Sequence, residues 1–480
     1  MKIVSIDKIK KTGVDTIVIV SDRGKIEEIA KSYPEIKQYL GSDYFDGEKS
    51  KRFVLPSIIE GKKLKYILFA MDENVSEEEI LEEFGKTAKE FSSDKAKNVF
   101  VDLSLFSSIH TREKVIAALK GLAHGSYSFN KFLTEKSAIE ADLIEVYSAG
   151  VIKEEVFDYA EEINRSIRLA KEMVDEPANI MTPKEIANIA QESLKNTELE
   201  VKIYDEKEIE KLGMNLFMSV AKGSKEEAKL IVMKYMGNSK SREVTALIGK
   251  GIAYDTGGYS LKSTKHMKDM KSDMGGAAAV IGAMNLIAAE KPKINVVGVV
   301  ATCENRISDE AYLPGDIIVS MNGKTVEIEN TDAEGRLTLA DAMTYAIRNE
   351  SATKLVDICT LTGACVAALG EEYAGVVTKE DELWEKLEEA SLKSLDPCWR
   401  LPINKRIIEK NKSKVADLKN SAGQPGCETA AAFVGEFSEN LPWIHIDIAG
   451  TAMVENKKEY LRAGATGFGV HLLSELVKVL

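Results

Sequence analysis

The chain has 480 residues, with 77 Asp+Glu against 64 Lys+Arg and a formal net charge of −13. Hydrophobic residues make up 44%, close to the globular norm of about 45–50%, so large cores can form and wholesale disorder is excluded. The acid surplus argues against a general nucleic-acid binder, and five cysteines without a CxxC pair exclude a zinc ribbon or a disulfide scaffold.

The N-terminus lacks the apolar core of a signal peptide. No run of about 20 apolar residues crosses a membrane; the longest candidate, 275–289, is too short and contains Asn285. Together with reduced thiols this predicts a cytoplasmic protein without a membrane partner. Only five histidines are present, so any metal site must rely mainly on other ligands.

Over the first 125 or so residues, β-branched runs at 16–20 and 98–103 read as strands. Segments 76–91 and 111–122 carry apolar residues three and four apart and read as amphipathic helices. Gly85-Lys86-Thr87 resembles the end of a phosphate loop, but Ile80 stands where that loop needs glycine. A polar stretch at 124–150 reads as a linker. A long helix at 154–174 follows, with one apolar stripe of Val156, Tyr159, Ile163, Ile167 and Ala170. The expected organisation is a small N-terminal α/β domain over 1–150 and a larger domain over 151–480, joined through a helix at about 151–176.

Beyond residue 183 the alternation becomes regular. Strands are predicted at 200–204, 230–235, 244–248, 294–301, 354–360 and 443–448, and helices at 183–195, 276–289, 337–348 and 381–391. Near-continuous apolar strands such as 295–301 point to a sheet covered on both faces. The fold class is therefore α/β, the larger domain having a central mixed sheet flanked by helices. Such sheets take ligands beyond the carboxyl ends of their strands.

Three segments fall at such places: 249–262 (GKGIAYDTGGYSLK), 270–276 (MKSDMGG) and 330–337 (NTDAEGRL). Asp255, Asp273, Asp332 and Glu334 each stand one to three residues before glycine, at a turn or before a helix, and singly each is more often a cap or turn residue than a ligand. Jointly, four converging carboxylates would raise one another's pKa unless cations lay among them, and two divalent ions would balance their charge. Oxygen-rich pairs of ions serve hydrolysis. Lys250 is an ordinary cation unless it is a ligand; a neutral amine there would cost roughly 4.6 kcal/mol at pH 7 from its ordinary pKa. No HExxH motif is present.

In these segments the chain resembles the leucyl (cytosol) aminopeptidase family of dinuclear metallopeptidases. The likeness continues through 175–183 (DEPANIMTP), 359–370 (CTLTGACVAALG), 418–433 (LKNSAGQPGCETAAAF) and 444–452 (IHIDIAGTA), and so covers roughly 175 to 480. Thr256 and Tyr259 depart from the family's commoner serine and leucine.

The resemblance implies a metal-dependent aminopeptidase that releases N-terminal leucine and other hydrophobic residues. It makes Lys250, Asp255, Asp273, Asp332 and Glu334 the ligands of two divalent ions, with Asp255 and Glu334 shared. The ions would be Zn2+ or Mn2+, with Mg2+ and Co2+ as further candidates. A metal-bridged hydroxide would attack the scissile carbonyl. Lys262 would stabilise the oxyanion, and Arg336 would hold a bicarbonate that moves the proton. Met270, Asn330, Thr360, Leu361, Gly363 and Ala449 would bind substrate, with Ala452 beside them. The same resemblance implies a homohexamer. Two other functions are compatible with acidic clusters and with relatives of this kind: a two-metal phosphoesterase, and a DNA-binding regulatory role, which the net charge disfavours. Cys359 and Cys365 read as buried thiols with no nearby histidine, and His445 as structural.

Overall fold

The computed structural model describes residues 1–41, 44–48, 52–59, 62–455 and 458–480. They divide into two compact units, Met1–Arg165 with Glu455–Ala463, and Ser166–Val454 with Gly464–Leu480. The predicted long helix is present as Glu154–Asp175, and the division falls inside it rather than at its start.

The first unit holds strands Lys2–Ile6 (β1), Thr16–Asp22 (β2), Arg52–Ile59 (β3), Lys62–Met71 (β4), Asn98–Leu105 (β5) and Leu143–Tyr147 (β6). Their order is β1-β6-β5-β2-β4-β3, parallel throughout except between β3 and β4. Strand β2 is buried along its whole length, as the TIVIV run requires of a strand covered on both faces. Strand β6 lies in the stretch expected to be a linker. It turns only Ile144 and Val146 inward, a five-residue alternation too short to stand out from its polar surroundings.

Helix Glu77–Ser93 starts at Ser76, whose hydroxyl accepts the Glu79 amide while the Glu79 carboxylate accepts the Ser76 amide. This reciprocal cap fixes the entry, and the helix buries Ile80, Leu81, Phe84, Ala88 and Phe91 on one face. The glycine of Gly85-Lys86-Thr87 lies inside this helix, which ends any phosphate-loop reading.

The second unit is built on strands Glu200–Tyr204 (β7), Lys229–Met236 (β8), Thr245–Asp255 (β9) and Asn295–Asn305 (β10), a small sheet from Ile317–Val319 (β11) and Thr325–Glu327 (β12), then Lys354–Cys359 (β13), Ala374–Val377 (β14), Cys398–Arg400 (β15), Leu418–Lys419 (β16) and Trp443–Asp447 (β17). The large sheet runs β15-β14-β17-β13-β9-β10-β8-β7, and the small one β11-β12-β16. The four central strands β17, β13, β9 and β10 are parallel, and antiparallel pairings begin at β14 and β8. The sheet is mixed, as expected.

Strand β9 outruns its predicted end at residue 248 and carries Lys250 and Asp255 on the strand itself. Gly249 and Gly251 read as a loop in the sequence, but here they admit close neighbours. A Cβ on Gly249 would stand 2.7 Å from the Gly276 carbonyl, and one on Gly251 2.9 Å from that of Ala301. Helix Gly275–Glu290, the most apolar segment of the chain, is buried from Gly275 to Ala288 in the core of this unit. Its Gly276 lies so close to β13 that a Cβ would come within 2.1 Å of the Ile358 carbonyl. Small residues thus bring this helix's N-terminus down onto the carboxyl ends of β9 and β13, where the charged segments gather.

Candidate metal centre

The first functional side chains come from β9. Past Asp255 the chain reverses through Gly257 and Gly258, at φ +85° and +60°, a conformation that only glycine adopts freely. A Cβ on Gly257 would meet Asp332 Oδ1 at 2.9 Å, so the turn packs directly on the 330–334 segment. Thr331 stitches the two: its hydroxyl donates to the Gly257 carbonyl (2.7 Å) and accepts the Ser260 amide (2.8 Å). Asn305, the last residue of β10, donates from Nδ2 to Asp255 Oδ1 (2.8 Å) and to the Thr331 carbonyl (3.0 Å).

Asp273 and Glu334 each stand near a helix start, the place where a cap was the alternative reading. Neither caps. Glu334 precedes helix Gly335–Glu350 without a side-chain cap bond, and its Oε1 lies 3.0 Å from Lys250 Nζ. Asp273 Oδ1 accepts from Lys250 Nζ (2.7 Å) and from the Thr360 hydroxyl (2.8 Å). Lys250 Nζ also donates to the Thr360 carbonyl (2.9 Å), giving it three acceptors, the pattern of an ammonium. Gly335 leaves room for this side chain, since a Cβ there would lie 2.3 Å from Lys250 Cε. At the rim, Lys262 Nζ lies 2.9 Å from Asp255 Oδ2 and 2.6 Å from Asp332 Oδ1.

The structure therefore gathers Lys250, Asp255, Asp273, Asp332, Glu334 and Lys262 into one cluster, buried except at its Asp332 and Lys262 edge. Four carboxylates face two ammonium groups, leaving two negative charges in excess. Burial, Glu334 and Asp273 drive the Asp255 carboxyl well above the carboxylate range. Burial pushes Asp273 up to about 7 against the pull of Lys250, and burial with Glu334 raises Asp332. Glu334 falls below its ordinary value because the two lysines outweigh its burial. Both lysines are held protonated, the carboxylates overcoming the desolvation that acts on each.

Divalent cations fit this cluster. Asp255, Asp273 and Glu334 offer donor oxygens within 4.8 Å of one another. Asp273 Oδ2 and Glu334 Oε2 are buried without a hydrogen-bond partner. A buried carboxylate oxygen without a donor is costly, and a hard cation satisfies it.

Arg336, on the first turn of the following helix, is buried; Nη1 donates to the Asn420 carbonyl (2.6 Å), while Nε has no partner. Asn420 was not singled out from sequence, yet it clamps the whole turn. Its Oδ1 accepts the amides of Glu329 and Asn330, and its Nδ2 donates to the carbonyls of Asn330 and Ala333.

Among the residues expected to bind substrate, Leu361 and Ala449 come together, both amides donating to Asp447 Oδ1 at 3.1 and 3.0 Å. Gly363 opens a helix and has free space where a Cβ would be. Met270 begins the single 3-10 turn that leads to Asp273. Thr360 and Asn330 also make contacts at the acidic cluster: Thr360 holds Asp273 and Lys250 as described, and Asn330 Oδ1 accepts the Asp332 amide (2.8 Å), shaping the 330–334 turn. His445 is fully buried, its Nδ1 2.7 Å from Asp357 Oδ1. It also lies 4.0 Å from Cys359 Sγ, a neighbour the sequence did not reveal, but burial raises that thiol rather than activating it.

Residues 168–474 match the sequence model of the cytosol aminopeptidase family, catalytic domain, and residues 17–136 match the N-terminal domain of the same family. A "Probable cytosol aminopeptidase" of Clostridium tetani is 42% identical over 474 residues, 97% of each chain. One of the same name from Clostridium perfringens is 41% identical over 98% of each chain, and one from Treponema denticola 44% identical over 84% of this chain and 86% of its own.

Proposed function

The chain belongs to the cytosol aminopeptidase family and is a metal-dependent aminopeptidase, and from that footing we propose that it releases leucine and other hydrophobic residues from the N-termini of peptides in the cytoplasm. The observation that carries this reading is the buried carboxylate cluster with two orphaned oxygens, set at the carboxyl ends of central parallel strands. Asp255, Asp273 and Glu334 would hold one ion, joined by Lys250 once the ion displaces the proton its ammonium carries in the metal-free cluster, and Asp255, Asp332 and Glu334 would hold the other. Bound there, divalent ions supply Lewis acidity toward the scissile carbonyl and lower the pKa of water.

The chain's own groups do the rest. Lys262, a protonated ammonium at the rim, donates to the oxyanion that develops on the carbonyl. Arg336 cannot act as a base, because guanidinium has no acceptor; its free Nε would offer a donor to a small anion such as bicarbonate, which would supply a proton carrier there. Leu361, Gly363, Ala449, Ala452 and Met270 form an apolar wall for the first side chain and favour leucine or methionine over charged residues. The family resemblance supports assembly into a homohexamer, with Zn2+ or Mn2+ as the native metal.

Hydrolysis of leucine p-nitroanilide beside its N-acetylated form tests the reading. A free α-amine is expected to be required; equal rates on both would overturn it and favour a different hydrolase. Turnover of a phosphate ester in place of the anilide would identify a two-metal phosphoesterase.

A further inference from the structure

The two loops that wall the first-residue pocket follow neighbouring parallel strands, β13 and β17, and one side chain ties them together. Asp447 ends β17, stands opposite Cys359 in the register and is wholly buried. One of its oxygens accepts the Leu361 amide from the first loop and the Ala449 amide from the second. The other accepts the Thr362 hydroxyl (2.7 Å) and faces the Cys427 thiol (3.7 Å). Thr362 passes the constraint on: its Oγ1 accepts the Cys365 amide (3.0 Å) and so caps helix Gly363–Leu369. The main chain adds one bond between the loops, from the Ile448 amide to the Cys359 carbonyl (2.8 Å).

A buried carboxylate whose hydrogen-bond partners are all neutral donors, split between two loops, with only the more distant Arg336 guanidinium to favour its charge, is an expensive way to make a core. An apolar residue would fill the space but leave the Leu361 and Ala449 amides without acceptors. What the carboxylate adds is a fixed distance between Leu361 and Ala449.

We propose that Asp447 is a positioning residue that sets the width of the first-residue pocket by holding Leu361, Gly363 and Ala449 at one spacing. The inference rests on the reading of those residues as the pocket wall. Asp447 touches no substrate and no metal ligand; it acts through the loops. Its loss lets the loops separate, so that a large side chain no longer packs against both walls while a small one loses little.

The test compares Asp447→Ala, Asp447→Asn and Thr362→Val with the wild type as full-length, metal-loaded enzyme. kcat and KM are measured on leucine and alanine p-nitroanilides, together with metal content. In D447A the leucine-to-alanine ratio of kcat/KM is expected to fall about tenfold, the range a mis-sized apolar pocket produces. The loss should appear mainly in KM for the leucine substrate, with metal content near that of the wild type. D447N keeps one acceptor oxygen for the two amides and should recover most of the ratio. T362V removes only the hydroxyl link and should move the ratio the same way by a smaller factor, which keeps the inference testable if D447A does not fold. A uniform loss on both substrates, loss of metal in D447A, or an unchanged ratio in T362V would overturn the positioning role. Failure of the underlying reading looks different: the wild type itself would show no preference for a free α-amine.

Discussion

Each unit buries an acid among its strands and turns, and the two acids are treated in opposite ways. In the first unit Asp102 accepts the Tyr33 hydroxyl (2.6 Å) on one oxygen and the amide and hydroxyl of Ser104 (2.9 and 2.7 Å) on the other. Every demand of that carboxylate is met from within the fold. In the second unit Glu334 is equally buried, yet one oxygen has only a lysine and the other has nothing. Nearby acids repeat the pattern, with an orphaned oxygen on Asp273 and too few ammonium groups to balance the charge. Buried polar groups that are fully satisfied belong to stability, whereas unsatisfied ones mark where a ligand is expected. By that criterion the two acids part: Asp102 serves its fold, and Glu334 marks a candidate site.

Substitutions can break or sharpen this contrast. Glu334→Ala should have the largest effect: metal analysis should show ions lost, with turnover reduced on the order of a thousandfold or more, since several kcal/mol of charge stabilisation leave with them. A fully loaded, active E334A would place the metal elsewhere. Lys262→Ala should retain its metal while kcat falls roughly 100- to 1,000-fold, as for loss of a single oxyanion donor. If K262A is empty, Lys262 belongs to the architecture of the site rather than to the reaction. Asn420→Ala, which frees the 329–334 turn without touching a ligand, should cost about 10- to 100-fold in activity or metal affinity. Asp102→Asn should leave metal content and turnover alone and show only in denaturant melts, as a loss of about 1–3 kcal/mol for the disturbed network. An effect of D102N on metal content would erase the distinction between the units.

Sequence reasoning found the gathering of charge but not its supports. Asp255, Asp273, Asp332 and Glu334 stood out because acids close to glycine at strand ends are chemically conspicuous. Whether they were caps or ligands needed coordinates, because a cap and a ligand differ only in where the carboxylate points, and Glu334 makes no cap bond. In the sequence Gly249 and Gly251 look like breakers, which ends the predicted strand at residue 248 before Lys250; on β9 they are points of close approach to Gly276 and Ala301. Asn305 and Asn420 were invisible, since a lone asparagine carries no spacing signal and its value lies in bonds to residues far along the chain. Strand β6 escaped for a different reason: its neighbours β1 and β5 are remote in sequence, and no local pattern reports that pairing.

The chain's route bears on the order in which it is made. After Val454 it leaves the second unit, contributes Glu455–Ala463 to the first, and returns at Gly464. There Lys89 Nζ donates to the carbonyls of Lys458 and Leu461 at 2.7 and 3.0 Å, and Arg462 reaches back to the Lys89 carbonyl and the Ser93 hydroxyl. A ribosome that has reached residue 454 has already delivered every proposed metal ligand, but it has not delivered the stretch that Lys89 binds. The unit begun first is thus among the last to be finished, and a chain cut short near its end would lose a part of its beginning.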